Sequence, residues 1–594
     1  MQFGLSSHLI PRTLLIALLA LPLPLRAQDH HSGRIVTSRP VAQGVELTQE
    51  IITGDTPLMV HILRVRLNVP GVRVRTGQAF DSISLQGPGQ GREGVHTLAR
   101  RHGAVAAINA DFFPFTGDPL GLAIRDGELL SEPTPHRVCF GLTSSGQVRM
   151  DVLSCVATLR LANGTGLPLA GINRLPAAGE ITVLTPTFTA TPVLPAPVVV
   201  LALRGVNLPV RVSRAMRGII ATIHSLEAGI PLPRRTPEET WIVAEGKTGD
   251  ALREHCQPGE PVHFQFDLTP SDPPGTRGRY ASRASALRAT DFTPVWKDVE
   301  QAVGGGPWLV RDGQIFVDGE AQGFNPTAFV QARHPRTAIG ITAERHLLLV
   351  AVDGRQAASR GMSLPELAAL MKRLGAVHAI NLDGGGSTTL YAGGGIVNAP
   401  SDGRVRPVAN ALLVFGRPVR SRARPTYSIR RSGAEAPTSV VAGETLPLKL
   451  IEASGKEAPA NLPVLWGTED GLGFVTQQGV FTSYRAGKGQ INARIGADVP
   501  LHCPVTVLPG PLAQIKATIQ PGNDPNTGAL TIVTQDRFGN PVPDQNVTVT
   551  FSTGRSLTLQ TDARGQVSCA FQWQEQDTQI TLSSGNAPSV TLRR

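Results

Sequence analysis

The stretch AINLDGGGSTTL (Ala379–Leu390) places three glycines and two kinds of hydroxyl directly behind an apolar segment. The amphipathic pattern SLPELAALMKRLG comes just before it, so the order helix, strand and glycine-rich turn is predicted. Ser363 and Glu366 have capping-box spacing, and Gly375 is the expected end of the helix. Glycines leave backbone N–H groups uncovered, and consecutive free N–H groups favour an anion.

Polar side chains flank these glycines. The hydroxyls of Ser387 and Thr388 suit phosphate or sugar oxygens, as do Asn381 and the turn Gly384, Gly385 and Gly386. Asp383 would repel a bare phosphate, so a carboxylate there suits a general acid or base, an acceptor for a sugar hydroxyl, or a metal ligand. A tight turn capped by Asp383 is the alternative interpretation. A P-loop is excluded, because no Gly-Lys-Ser/Thr ending follows.

Two other predicted strands also end in an aspartate. GVHTLARRHGAVAAINADFF is predicted to be a helix that stops at Gly103, followed by a strand that delivers Asn109 and Asp111. LLLVAVDGR is a buried strand that delivers Asp353. Two such carboxylates on either side of a glycosidic bond would meet the need of glycoside hydrolysis. The sequence does not say which two face each other.

Further contacts are predicted on both sides of the turn. In ARHPRTAIGIT, Pro335 braces Arg336 and Thr337, and a guanidinium on a braced backbone suits phosphate. The alternative for this arginine is an ion pair with a structural carboxylate. In GGGIVNAPSDGRVRPVANALLVF, Asn398 and Arg406 are weaker candidates for substrate contacts.

Composition limits the class of protein. A chain of 594 residues is too long for one core, and 63 glycines with 48 prolines favour strands and turns. The net charge of +10 is dispersed and aromatic residues are only 5%, which argues against nucleic-acid binding. A basic surface suits anionic glycans. None of the five cysteines has metal-knuckle spacing; Cys139 and Cys155 flank a predicted hairpin and are either a disulfide or two buried small hydrophobes.

The first residues have the pattern of a secretory signal peptide, with Arg12 before a short apolar run and cleavage expected after Ala27 (residues 1–27). An uncleaved membrane anchor is the alternative. No later stretch is long and apolar enough to cross a bilayer. The predicted location is therefore secreted, periplasmic or at the cell surface.

The predicted fold class is α+β. A mixed α/β, strand-rich domain covers 41–415; within it LMVHILRVRL is a half-buried strand, and a long strand-and-turn region runs to about Leu268. A basic, Pro-bearing linker covers 416–427. Two β-sandwiches are expected at 428–508 and 511–594, because short alternating strands are separated by Asp, Gly and Asn.

Seven segments occur in an order that resembles the phosphodiester glycosidase family: AINADFF, GLAIRDGEL, GGGPWLVRDG, HPRTAIGIT, VDGR, NLDGGGSTTL and VNAPSDGRVRPVANALLVF. The resemblance implies hydrolysis of a sugar-1-phosphodiester, such as an α-N-acetylglucosamine-1-phosphodiester, at the anomeric C–O bond. By motif match, the implied site draws on Asn109, Asp111, Arg336, Thr337, Asp353, Asn381, Asp383, Gly384, Gly385, Ser387 and Thr388. The segment VTQDRFGNPVPDQNVTVTFSTG resembles a bacterial Ig-like domain of the invasin type, which implies spacing or attachment of the catalytic domain at a bacterial cell surface.

Two other functions are compatible with the sequence. One is a non-catalytic protein that binds exopolysaccharide or assembles the envelope. The other is a metal-dependent phosphodiesterase that cuts P–O, for which a divalent cation such as calcium is the candidate cofactor.

Overall fold

The computed structural model describes residues 33–83, 91–114, 117–272, 276, 296–419, 426–431, 439–459, 462–469, 471–496 and 500–594. The predicted signal peptide lies outside these ranges, and so do residues 420–425 of the predicted linker. Within the described ranges, no helix has both the length and the apolar character needed to span a bilayer.

Strands dominate the part of the chain before residue 416. They are β1 (Arg34–Ala42), β2 (Val45–Ile52), β3 (Leu58–Arg66), β4 (Arg73–Gln78), β5 (Ala106–Asn109), β6 (Ala123–Arg125), β7 (Glu128–Ser131), β8 (Val138–Thr143), β9 (Val148–Arg160), β10 (Gly166–Leu169), β11 (Gly171–Ile172), β12 (Ile181–Leu184), β13 (Val198–Arg204), β14 (Met216–Leu226), β15 (Thr240–Glu245), β16 (Pro261–Pro270), β17 (Val299–Gly304), β18 (Trp308–Arg311), β19 (Gln314–Ile315), β20 (Arg336–Thr342), β21 (His346–Val352), β22 (Ala376–Leu382), β23 (Leu390–Ala392), β24 (Gly395–Ile396) and β25 (Asn410–Phe415).

Helices are few in the described ranges. Within those ranges the α-helices are α1 (Val95–Arg101), α2 (Gly246–His255) and α3 (Leu364–Arg373), with short turns of other helix types between strands. Strands make up 49% of the structure and helices 8%, so the described fold is mostly β, in agreement with the strand-rich domain that the sequence predicts. The sequence pattern missed α2, which lies inside the region interpreted as strands and turns.

The two helices predicted from the sequence are confirmed. The side chain of Ser363 accepts from the backbone N–H of Glu366, and the Glu366 side chain accepts from the backbone of Ser363, which completes the capping box of α3. Gly103 and Gly375 end α1 and α3 with φ of 67° and 90°, a region that glycine adopts without strain.

Two large sheets position the site. One has the order β1-β2-β3-β21-β20-β22-β18-β19, and the other contains β24-β23-β5-β25-β4. β3 was predicted to be half-buried, but it is buried on both faces: Leu63 and Val65 face one hydrophobic cluster, whereas Val60 and Ile62 face another. The reason is that β3 lies inside the sheet, between β2 and β21, and α3 covers the second face.

A third sheet of twelve strands forms the remainder of this part, with the order β11-β12-β15-β13-β14-β16-β9-β8-β17-β6-β7 and β10 beside β9. It contains the predicted hairpin of β8 and β9, in which Cys139 is opposite Asp151. Cys155 is four residues beyond Asp151 along β9, which separates the two residues by about 13 Å at the usual rise per residue. Both cysteines are free, which contradicts the disulfide, one of the two alternatives that the sequence left open.

The C-terminal strands fall into two groups. The first is β26 (Tyr427–Arg431), β27 (Ser439–Val441), β28 (Thr445–Glu452), β29 (Val464–Thr468), β30 (Gly473–Val475), β31 (Val480–Ser483), β32 (Gly487–Ile495) and β33 (Leu501–Leu508); the second is β34 (Gln514–Pro521), β35 (Thr527–Gln535), β36 (Asn546–Phe551), β37 (Ser556–Gln560), β38 (Gln566–Gln572), β39 (Gln579–Ser583) and β40 (Val590–Arg593). We call them the first and second C-terminal units. Each has two sheets over its own hydrophobic cluster. Their assignment to the Ig-like class stays a prediction.

The first C-terminal unit is joined directly to the large sheets. β27, β33, β32 and β29 continue the sheet of β24-β23-β5-β25-β4, with Ile396 paired to Thr468. Leu465 belongs to the main hydrophobic cluster of the preceding domain. This unit therefore has its own core and is also joined to the domain before it through a shared sheet; its role as a spacer stays a prediction.

Candidate active site

The candidate site lies where two sheets meet. β5 ends at Asn109 in one sheet, and β22 ends at Leu382 in the other. The backbone N–H of Asp383 donates to the carbonyl of Ala110 at 2.9 Å. The Asn109 amide donates to the carbonyl of Asp383 at 2.7 Å. These bonds hold the two strand ends together, so that Asp111 and Asp383 interact electrostatically.

Asp111 is the more buried of these two carboxyl groups, with 3% of its surface exposed. Its Oδ1 accepts from the Phe112 N–H at 2.8 Å, and its Oδ2 accepts from the Gly121 N–H at 2.9 Å. Burial raises the pKa of Asp111 to about 7, and the nearby Asp383 charge adds to the rise, although both N–H groups and Arg137 oppose it. Asp111 is therefore still partly protonated near neutral pH.

Two glycines make room for Asp111. A Cβ on Gly304 would overlap the Asp111 carboxylate, and one on Gly121 would lie 2.9 Å from its Oδ2. Gly304 ends β17 and begins the segment GGGP. The glycines of GGGPWLVRDG and GLAIRDGEL thus have a structural reason that their spacing alone did not reveal.

Asp383 is partly exposed at the same place. Burial raises the pKa of Asp383 to about 6, while the Ser387 hydroxyl, the Arg406 charge and the Gly384 N–H stabilise its ionised form. The two carboxyl groups therefore differ: at neutral pH Asp383 is mostly ionised and Asp111 is about half protonated. A pair of this kind can supply one acid and one base.

The glycine turn does not form the predicted anion nest. The N–H groups of Gly385, Ser387 and Thr388 donate to carbonyls of Pro335, Gly384 and Gly385, and that of Gly384 donates to Asp383. These donors are already used within the protein. A Cβ on Gly384 would lie 2.7 Å from the Pro335 carbonyl, so the glycines serve close packing of the turn against the HPRT segment.

Gly386 has a different neighbour. A Cβ there would overlap Asp402 and Arg406, which form an ion pair at 2.7 Å. Arg406 also lies 3.4 Å from the Ser387 hydroxyl, so it is held beside Asp383; its contact with substrate stays a prediction. The glycine lets this ion pair lie directly on the turn.

Three predicted substrate contacts are buried beneath Asp383. The Thr337 hydroxyl donates to Asn109 Oδ1 at 3.0 Å and to the Thr388 hydroxyl at 3.2 Å. All three side chains are at most 1% exposed. They position the backbone around Asp383, in contrast to the predicted contact with substrate.

Arg336 also differs from its predicted role. It is 1% exposed, and its guanidinium donates to the backbone carbonyls of Met362, Phe329 and Ala332. Burial lowers its pKa to about 10. Arg336 therefore ties together the wall of the site, where the sequence predicted a contact with phosphate. Among the described residues it forms no ion pair within 4 Å, although the Glu366 charge raises its pKa.

Asp353 is fully buried and bonded within the protein. Its Oδ2 is 2.9 Å from His61 Nε2, and its Oδ1 accepts from the Asn398 amide at 3.0 Å. Asn398 in turn bonds to the Thr388 carbonyl and the Leu390 N–H. This arrangement makes Asp353 and Asn398 supports of the glycine turn, where the sequence predicted catalysis and substrate binding.

Asn381 is likewise fully buried. Its amide donates to the Gly306 carbonyl at 2.8 Å, which ties β22 to the GGGP segment below Asp111. It is placed for support of the site and has no exposed surface for the predicted substrate contact.

Sequence reasoning missed Arg137. Its guanidinium stacks over the rings of Phe324 and Phe112, 4.6 and 5.3 Å from their centroids, and it interacts electrostatically with Asp111. Among the described residues it has no ion pair within 4 Å, so a cation is available beside Asp111. No local motif marks it, because it precedes an ordinary hairpin strand.

Metal ligands are not grouped in the described part of the chain. No set of three or more His, Cys, Asp or Glu side chains there is arranged to hold a metal ion. The calcium suggestion therefore finds no ligand cluster among these residues.

Part of the chain that carries this site is similar to known proteins. The sequence model of the phosphodiester glycosidase family matches residues 265–415, which contain Arg336, Asp383 and Arg406. N-acetylglucosamine-1-phosphodiester alpha-N-acetylglucosaminidase from Mus musculus is 37% identical over 111 residues, and the enzyme from Bos taurus is 38% identical over 112 residues. These alignments cover 17% of this chain and 21% of each relative.

The overall fold also has a solved counterpart. The crystal structure of a hypothetical protein from Synechocystis is 24% identical, with a TM-score of 0.50 over 65% of this chain and 64% of that one. It shows that the fold is shared and carries no further implication. The resemblance predicted from the sequence is confirmed over residues 265–415, which match the phosphodiester glycosidase family.

Proposed function

We propose that this protein is a glycoside hydrolase that cleaves a sugar-1-phosphodiester at the anomeric C–O bond. The observation that carries the proposal is the pair of interacting carboxyl groups, Asp111 with a pKa of about 7 and Asp383 with a pKa of about 6. Arg137 lies beside the first and Arg406 beside the second. The match of residues 265–415 to phosphodiester glycosidases supports this reaction class.

Asp111 is the proposed acid. The leaving group is a phosphomonoester, whose second pKa is about 6. An acid with a pKa of about 7 is well matched to that group, so proton transfer to the departing oxygen is nearly balanced in energy. Arg137, which has no carboxylate partner within 4 Å among the described residues, stabilises the charge that develops on the phosphate.

Asp383 is the proposed base on the sugar side. Its ionised form takes a proton from the attacking water, whose oxygen forms the new bond to the anomeric carbon. The C–O bond to phosphate breaks, and Asp111 protonates the phosphate oxygen. The products are free sugar and a phosphomonoester, and the net reaction consumes one water.

We also propose a class of substrate and a location for the enzyme. An exported enzyme that acts on a glycan or envelope polymer fits the signal-like N-terminal sequence and the net charge of +10, which would attract a polyanionic glycan.

The test uses purified protein and the methyl diester of α-N-acetylglucosamine-1-phosphate. Release of N-acetylglucosamine is measured in wild type, Asp383→Asn and Asp111→Asn, with Asp312→Asn as a matched control for an exposed aspartate. We expect release in wild type and the control, with a loss of about a thousandfold in each dyad variant.

Isotopically labelled water identifies the bond that breaks. Label in the sugar supports C–O cleavage, whereas label in the phosphate would replace this proposal with a phosphodiesterase that cuts P–O. Folded protein that releases no sugar from a panel of sugar-1-phosphodiesters would favour the non-catalytic glycan-binding alternative.

A further inference from the structure

A cleft of about 830 Å³ begins beside the glycine turn and continues into both C-terminal units. The glycosidase part contributes Arg355 and Asp402, which adjoin Gly385 and Gly386. The first C-terminal unit contributes Arg485, and the second contributes Arg537. Since small-ligand pockets range from about 300 to 1,000 Å³, the cleft has room for more than one sugar ring.

The charges in the cleft are mostly unpaired. Arg355 bonds to His334 Nδ1, and Arg485 bonds to the Asp402 carbonyl. Among the described residues, neither of them nor Arg537 has a carboxylate within 4 Å. The Asp402 carboxylate is already neutralised by Arg406. The cleft therefore has an excess of positive charge suited to phosphate groups.

Aromatic rings lie among these cations. Tyr484 and Phe538 are 5.8 Å apart between ring centroids, and the Arg537 guanidinium lies 4.6 Å from the Phe538 centroid. Apolar ring faces beside polar donors are typical of carbohydrate-contacting surfaces, because sugars have both apolar faces and hydroxyls.

The loop that carries Arg537 and Phe538 is rigidly held. Asp536 is 2% exposed and accepts from the backbone N–H groups of Phe538 and Asn540. The Asn540 amide donates to the Tyr484 carbonyl at 2.8 Å, and its Oδ1 accepts from the Ala486 N–H at 2.8 Å. The second C-terminal unit is thereby fixed to the cleft wall formed by the first.

The first C-terminal unit is fixed to the glycosidase part in the same way. Phe474 packs with Met59 and Ala399, and its ring contacts His61 edge-on at 5.7 Å. Arg100 bonds to Glu469 at 2.7 Å and to the Gly394 carbonyl. The walls of the cleft are therefore held in place by contacts between the glycosidase part and the two C-terminal units.

We infer that this cleft binds further repeats of a polymeric, phosphodiester-linked glycan, and that the two C-terminal units are specificity-determining parts of the enzyme. The Asp111–Asp383 pair would act on the terminal sugar-1-phosphodiester while Arg485 and Arg537 hold a phosphate further along the chain. The identification of the glycan as a sugar-1-phosphodiester polymer rests on the proposed function. Binding of a polyanionic glycan in the cleft does not depend on that function and is tested separately.

The probes are a synthetic trimer of N-acetylglucosamine joined through anomeric phosphodiesters and the methyl diester of α-N-acetylglucosamine-1-phosphate. Full-length wild type is compared with Arg537→Ala, because Arg537 is exposed and its guanidinium makes no hydrogen bond to another described residue. Arg564→Ala is the matched control, an exposed arginine of the same unit outside the cleft. Calorimetry gives the affinity of each protein for each probe. If hydrolysis of the probe disturbs the titration, the affinity is measured with Asp383→Asn added to each protein. The kcat/KM for each probe is measured in parallel with Asp383 intact.

Wild type should bind the trimer more tightly than the methyl diester. Arg537→Ala should weaken trimer binding about tenfold more than methyl-diester binding, since one charged hydrogen bond is lost. Arg564→Ala should stay within about twofold of wild type for both probes. Equal affinity of wild type for the two probes, or equal effects of Arg537→Ala on both, overturns the inference.

The two proposals fail separately. Trimer binding that depends on Arg537 without hydrolysis of either probe would overturn the proposed function and keep the cleft. Hydrolysis of both probes with no dependence on Arg537 would keep the function and overturn the cleft.

Discussion

Activity should depend on pH on both sides of about 6.5, because Asp383 must be ionised and Asp111 protonated. Below pH about 6 Asp383 gains a proton and loses its ability to accept one; above about 7 Asp111 loses the proton that it must donate. With these pKa values, the active fraction falls about twentyfold from pH about 6.5 to either about 4.5 or about 8.5. The two apparent pKa values belong to the pair as a whole.

A single substitution tests whether Asp383 is responsible for the loss of activity at low pH, which is the acid limb of the kcat/KM profile. The Ser387 hydroxyl lowers the pKa of Asp383, so Ser387→Ala should move the acid limb of the kcat/KM profile to higher pH and leave the alkaline limb in place. Ser38→Ala, at an exposed serine on β1, is the matched control. The assay is N-acetylglucosamine release from the methyl diester across the pH range.

Two results would refute this reasoning. A flat kcat/KM profile between pH about 5 and 9 would show that neither carboxyl group titrates in catalysis. A Ser387→Ala variant that shifts the alkaline limb instead would reverse the roles of Asp111 and Asp383.

Three other substitutions test the supports of the site. Gly304→Ala should lower kcat/KM about a hundredfold, because the new methyl group displaces the Asp111 carboxyl; circular dichroism that matches wild type would show that the loss is local. Asp353→Ala should reduce the free energy of unfolding in urea by about 3 kcal/mol or more, since it leaves buried His61 without its partner, and a change below about 1 kcal/mol would contradict this. Ser363→Ala should reduce it by about 1 kcal/mol through loss of the α3 cap, with no change in KM.

Much of the local structure was predictable, because it depends on neighbouring residues. The capping box of α3, the glycine stops and the strand before Asp383 all follow from spacing within one segment. The helix α2 was missed because GKTGDALREH contains two glycines and a weak apolar face, so packing against β13 and β15 determines it more than propensity does.

The residue types of the site were also predictable, but their roles were not. Asn109 and Asp353 lie at or near strand ends, as the sequence indicates, and β20 begins with Arg336 and Thr337. Each of these four residues is nevertheless buried and bonded within the protein. Whether a polar side chain at a strand end faces solvent or the interior depends on what the other sheet covers. Arg137, which a distant hairpin brings beside Asp111, had no sequence signal.

The sequence by itself determined that strands lead into Asp111 and Asp383, that glycines surround them and that the motifs between residues 41 and 415 resemble those of a phosphodiester glycosidase. Only the tertiary structure decided that these two carboxyl groups interact, that Asp353 supports the turn and that both C-terminal units line the adjoining cleft. The physical reason is that spacing and propensity act over a few residues, whereas burial and charge coupling depend on groups that are distant in the chain.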